Sequence, residues 1–153
     1  MIIPFHLYLI QFGPLGLFII CVLSASLLPL PSEPAVVAAL AVFGTPLVAA
    51  ITFAGWMAGA TINWFIGIKG LHRLVARDPE REEKAQNWFK KWGPPILVAG
   101  PWIPFIGDPL TLVAGTLEMP LERFLLYAAV GRIIKVLVLV ALGKELLLLL
   151  GML

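Results

Sequence analysis

Charged positions are spread very unevenly along this chain. Residues 1–68 contain one charged side chain, Glu33, and residues 93–117 contain one, Asp108. The apolar stretches around them are cut by glycine and proline into pieces of two lengths. Residues 46–68 and 121–143 are 23 residues each, long enough to cross a hydrocarbon core of ~30 Å at ~1.5 Å per residue. Residues 35–43 and 95–103 are nine each and reach about half that depth. Two half-length pieces joined by a proline-rich turn predict a re-entrant hairpin that enters and leaves on one face. The pattern therefore predicts hairpins over about 13–43 and 93–118, each followed by a transmembrane helix.

The halves also resemble each other at an offset of about 75 residues. SLLPLPSEPAVVAALAVFGTPL aligns with GPWIPFIGDPLTLVAGTLEMPL. Pro29 meets Pro104, Glu33 meets Asp108 and Pro34 meets Pro109. Gly55 meets Gly131, and Gly67 meets Gly143. Upstream, Phe12-Gly13-Pro14 meets Trp92-Gly93-Pro94. One hairpin plus one span is an odd number of crossings, so consecutive repeats run in opposite senses. The expected fold is an all-α integral membrane protein of one domain, 1–153, built as an inverted repeat of hairpin plus transmembrane helix. This broken-helix pattern is the one secondary transporters use. Non-helical backbone at that depth needs protein or a water-filled cavity around it.

Between the apolar halves, residues 69–92 carry seven lysines and arginines against four acids, and the positive-inside rule puts this loop in the cytoplasm. It holds a helix of its own. Asp78 is placed to cap, Pro79 suits the first position, Lys90 and Lys91 close the last turn and Gly93-Pro94 stops it. Ala85, Trp88, Phe89 and Trp92 share one face, which predicts an amphipathic helix on the membrane interface.

Composition sharpens the class. Of 153 residues, 60% are hydrophobic and 13% charged, with a mean hydropathy of +0.97. Soluble domains are nearer 45–50% apolar and 25% charged. A soluble enzyme, a nucleic-acid module and a disordered chain are excluded. Cys21 is the single cysteine, so neither an internal disulfide nor a cysteine metal site forms. His6 and His72 are far apart; no metal and no cofactor is expected. Neither end carries a signal-peptide head or a lipidation residue, so membrane insertion rests on the spanning segments.

The chemistry then falls to four residues. Glu33 and Asp108 lie in the hairpin turns, and Arg132 and Lys135 lie inside the last long helix. An Asp, Arg or Lys at a helix centre costs ~2.5–3.5 kcal/mol on insertion scales, so mutual pairing around a wet cavity is expected. Arg132 and Lys135, three apart, share a face and can converge on one anion, such as a phosphate. Glu33 and Asp108 balance them in the empty site or carry a proton. Buried ion pairs that only fix the fold are the plainer alternative. Ser24, Asn63 and Thr111 are weaker cavity-lining candidates; Asn63 also suits a hydrogen bond across helices. Gly55 and Gly59 form a GxxxG for close helix packing, within the chain or between subunits of a homo-oligomer.

These motifs resemble the DedA family, also called SNARE-associated or VTT membrane proteins. The stretch WGPPILVAGPWIPFIGDPLTLVAGTLEMPLERFLLYAAVGR is similar to that family's second half, and PLPSE to its proline turn with an acid. The resemblance covers roughly residues 13–140, and the GDP form is similar to the branch typified by the YqaA proteins. It implies oppositely entering hairpins and lipid transport: return of undecaprenyl phosphate, movement of other phospholipids, or scrambling, with proton coupling in some members. It also implies the cytoplasmic (inner) membrane of a prokaryote. Glu33 matches the family's acid after the proline turn. The family's earlier acid falls on Ser24, and its hairpin arginines fall on Pro101 and on Gly107 or Asp108. In their absence Arg132 and Lys135 are expected to supply the positive charge.

The resulting expectation is a non-enzymatic lipid transporter or flippase for a phosphate-bearing lipid. Protons are its expected coupling ion and membrane lipids its partners; nucleic acid is not one. An uncoupled scramblase or pore, and a non-transport scaffold or assembly factor, are the alternatives. No HExxH, GxSxG or phosphatase-like His/Arg set marks an enzyme.

Overall fold

The computed structural model describes residues 3–26, 31–70, 79–103 and 105–152, with the backbone alone for 3–10. Pro29, His72, Asp78 and Pro104 lie outside the described residues. Among those described, every regular element is helical.

Helix α1 runs Ile3–Ala25 and breaks at Gly13, whose φ of 55° leaves the right-handed region just before Pro14. Helix α2, Glu33–Val42, is ten residues long and carries Pro34 in its first turn. Helix α3, Thr45–Ile68, has 24 residues. Helix α4 spans Pro79–Trp92 and ends at Gly93, with φ 70°. Thus both Gly-Pro pairs turn the chain through a left-handed glycine, a conformation that a side chain would strain. Helix α5, Ile96–Ala99, continues as a 3-10 turn over Gly100–Trp102. Helix α6 is Gly107–Thr116 and helix α7 is Leu121–Leu149.

Helices α3 and α7 are long and apolar enough to cross a membrane. The faces of α7 are inverted relative to a soluble helix: Gly131 and Arg132 are buried while Leu126, Ile133, Leu137 and Leu142 are exposed. That arrangement suits a helix whose outer surroundings are lipid.

Three boundaries differ from the sequence reading. Glu33 and Asp108 were expected in turns but stand in the first turns of α2 and α6. A helix N-terminus favours a carboxylate, so each helix starts at or just before its acid. Helix α7 runs past residue 143, because one glycine costs a helix only ~1 kcal/mol and the following KELLLL favours it. The apolar face of α4 is largely covered by protein: Ala85 and Phe89 are buried, Trp88 is half-buried and Trp92 stays exposed. The guanidinium of Arg81 stacks 4.7 Å from the Phe105 ring, which sets the start of α4 beside the second interhelical turn.

Two apolar clusters form the core. One joins α1, α2 and the first half of α3 to the second half of α7. The other joins the second half of α3 to α4, α5, α6 and the first half of α7. Glycines set the closest approaches. A Cβ on Gly55 would lie 2.5 Å from Cys21 Cβ, and one on Gly59 2.6 Å from the Val22 carbonyl, so this GxxxG packs inside the chain against α1. Gly131 meets Val98 of α5 in the same manner, at 2.5 Å from its carbonyl. Gly67 abuts Leu112, Gly115 and Thr116 of α6, while Gly143 abuts Val37 and Leu40 of α2. The last two contacts are reciprocal. Each long helix rests its second half on the short helix of the other half of the chain, at matching positions.

Replacing Gly67 or Gly131 by valine drives a side chain into facing backbone. Each change is expected to destabilise the fold by the ~1–3 kcal/mol of overpacking or more. Leu126→Val, on the exposed face, is expected to shift it by less than ~0.5 kcal/mol. Melting curves of the purified variants in detergent check both.

Candidate functional site

Trp56 stands near the middle of α3, about 17 Å along the axis from the helix start. An indole N–H buried among apolar side chains needs an acceptor. Trp56 Nε1 donates to Ser32 Oγ at 3.1 Å, which ties the residue preceding α2 to α3. The ring of Trp56 lies under the ammonium of Lys135, 4.9 Å from its centroid. Lys135 Nζ in turn donates to Glu33 Oε1 at 2.8 Å. The Lys135 side chain is 22% exposed and that of Glu33 43%.

Arg132 lies one turn before Lys135 and is 5% exposed. Its Nε donates to the Trp56 carbonyl at 3.2 Å and its Nη1 to the Ala128 carbonyl at 3.5 Å. A carbonyl has two lone pairs, so the Trp56 oxygen can serve both its helix and the guanidinium. Among the described residues no carboxylate forms an ion pair with Arg132. Asp108 is half-buried and feels the charges of Arg132, Lys135 and Glu33 across the space between α6, α7 and α2. Three of the four charges named from sequence, Glu33, Arg132 and Lys135, therefore meet beside one tryptophan, and Asp108 stands within their electrostatic reach. Lys135 has its acid, as expected, while Arg132 is held by backbone instead.

The weaker candidates divide. Asn63 is buried, and its Nδ2 donates to the carbonyl of Ala25 at 3.1 Å, of Ser26 at 3.4 Å and to Thr111 Oγ1 at 3.1 Å. It caps the end of α1 from another helix, supplying a donor to carbonyls at the helix terminus. Thr111 Oγ1 donates to the Asp108 carbonyl at 2.6 Å, so this tie reaches the first turn of α6. Three acceptors around Nδ2 fix the amide's orientation and leave Asn63 Oδ1 buried with no hydrogen-bond partner. Ser24 does not join the cluster: its hydroxyl donates to the Cys21 carbonyl of its own helix at 3.0 Å. Among the described residues no His, Cys, Asp and Glu group gathers as metal ligands do.

The VTT domain matches residues 30–145, a span that begins just before Ser32 and Glu33 and runs past Lys135. This chain belongs to the VTT domain family. Its similarity to the following relatives is consistent with that. An uncharacterized membrane protein, YbfM, of Bacillus subtilis is 27% identical over 88% of this chain and 90% of its own length. An alkaline phosphatase-like protein of Lactococcus lactis subsp. cremoris is 30% identical over 89% of this chain and 72% of its own. An uncharacterized protein of Methanocaldococcus jannaschii is 26% identical over 82% and 80% respectively. No solved structure matches this VTT protein.

One member of the cluster was missed in the sequence, Trp56. A tryptophan in mid-span, with an N–H that must find a partner, was the available signal. Removing the Asn63 cap has a defined cost. Asn63→Leu removes the donor to the Ala25 and Ser26 carbonyls and to Thr111 and is expected to destabilise the protein by ~1–3 kcal/mol, read from thermal unfolding in detergent.

Proposed function

We propose that this VTT-domain protein is a membrane transporter that carries a phosphate-bearing lipid across the bilayer. The observation that carries this reading is the meeting of Arg132, Lys135 and Glu33 beside Trp56, midway along two apolar helices, with Asp108 within electrostatic reach of all three. Charges are costly at that depth and mark a substrate or ion path by default. In this reading Arg132 and Lys135 hold the phosphate through charge-assisted hydrogen bonds. Glu33 and Asp108 line the site and exchange a proton with it. The lipid tail stays in the bilayer, so a small chain need enclose only the headgroup.

The reciprocal contacts of Gly67 and Gly143 support an inverted repeat. So does the Arg132–Trp56 bond, which joins residues 76 apart, close to the repeat offset. A two-fold relation brings equivalent residues together only at its axis, and this pair lies at the middle of both long helices. The α1–α2 and α5–α6 pairs then act as hairpins dipping from opposite faces. Loop 69–92 lies in the cytoplasm, both ends lie outside, and the membrane is the prokaryotic cytoplasmic membrane.

Purified protein in proteoliposomes with a fluorescent phosphatidic acid tests the reading. A charged contact to phosphate contributes ~1.5–3 kcal/mol, so Arg132→Gln and Lys135→Gln should each slow translocation by about tenfold or more. A rate indifferent to a pH gradient assigns an uncoupled scramblase instead. Full activity in both variants, with loss on changing the exposed face of α4, assigns a scaffold. Phosphate released from the lipid would assign a hydrolase, the chemistry suggested by the name of the Lactococcus relative.

A further inference from the structure

The two cations of the site are partnered unequally. Lys135 Nζ is 2.8 Å from the Glu33 carboxylate, whereas among the described residues Arg132 forms hydrogen bonds only to the carbonyls of Trp56 and Ala128. A guanidinium carries five N–H donors, so Arg132 keeps donors with no protein acceptor among the described residues. The carboxylate of Glu33 also stands where it matters mechanically. It occupies the first turn of α2, and α2 is tied to α3 and α7 at that end by two side-chain bonds: Ser32 to Trp56 Nε1, and Glu33 to Lys135.

We infer that Glu33 is an internal stand-in for the substrate's phosphate. It holds Lys135 while the site is empty and must be displaced when an anion docks. The inference rests on the phosphate-site reading above. A phosphate offers more acceptor oxygens than a carboxylate, and it can bridge Lys135 and Arg132, three residues apart on one face of α7. Its arrival breaks the Glu33–Lys135 bond and leaves Ser32–Trp56 as the remaining side-chain hydrogen bond at that end of α2 among the described residues, beside the apolar packing of Ala35 and Val36. Occupancy of the site is thereby coupled to the position of the short helix. No such release follows docking near Asp108, which forms no ion pair among the described residues.

Binding to the full chain in detergent tests this, with three probes: short-chain phosphatidic acid, short-chain phosphatidylcholine and inorganic phosphate. Removing the internal competitor should tighten phosphatidic acid binding by about tenfold in Glu33→Gln. Glu33→Asp, whose carboxylate is drawn back by one methylene, should lie between. Lys135→Gln should weaken binding, and adding Glu33→Gln to it should restore nothing, because the competition acts through Lys135. In translocation, Glu33→Gln should lower the half-saturating lipid concentration and also the maximal rate, since release loses its driving competitor. A purely structural Glu33 would lower stability without tightening binding. If the wild type binds and both Glu33 variants bind no more tightly, the stand-in is wrong while the phosphate site survives. If the wild type binds none of the three probes, the phosphate site itself falls and the inference with it. A tenfold change seen with inorganic phosphate and not with phosphatidic acid would name free phosphate as the ligand displacing Glu33.

Discussion

A guanidinium enclosed midway between two apolar helices is the constraint from which the rest of this structure follows. Arg132 cannot shed its charge in a protein and is costly to insert in lipid, at ~2.5–3.5 kcal/mol at a helix centre. It needs acceptors at that depth, and it finds them in the Trp56 and Ala128 carbonyls. The bond to Trp56 fixes the register of α7 on α3. With α3 and α7 crossing there, Trp56 can turn its ring beneath Lys135 and its N–H toward Ser32. The start of α2 then has one place to go.

The short helices create a second demand. Ends of helices buried among apolar side chains expose carbonyls and N–H groups that those surroundings cannot satisfy. Asn63 answers for α1 by donating to Ala25 and Ser26. Acids answer for α2 and α6, where Glu33 and Asp108 sit at the positive ends of the helix dipoles. The glycines of α3 and α7 let the short helices come close enough for these partners to reach. Chemistry-bearing residues and packing residues thus serve one arrangement.

Much of this was legible because apolar length and glycine-proline punctuation are strong local signals. Gly13-Pro14 and Gly93-Pro94 mark real breaks, Pro79 opens α4, and the two long helices fall where the runs of 23 residues placed them. The four charges could be named since each is conspicuous in an apolar setting. Their partners were only half readable. A lysine seeking a carboxylate has few choices, and Glu33 was among them. An arginine satisfied by backbone leaves no trace in a sequence, because every residue offers a carbonyl. The face of α4 was readable as apolar, but nothing local distinguished a protein partner from a membrane surface. Ser24 was named for a hydroxyl in an apolar stretch, but a carbonyl within its own helix was there to satisfy it.

The halves are alike in plan and unlike in fit. Gly67 meets α6 at backbone, across from Gly115, so α3 and α6 are in direct contact there. At the matching place in the other half, Leu40 stands where Gly115 would be, and Gly143 meets the Leu40 and Val37 side chains instead. Backbone-to-backbone packing leaves nothing to adjust, whereas aliphatic side chains can change rotamer and let the helices slide. The difference is written into the sequence. It makes the α3–α6 contact the fixed one and the α2–α7 contact the compliant one. Rigid and compliant ends are what a molecule needs if one short helix is to move while its counterpart stays. The helix with the compliant contact is the one that begins with Glu33.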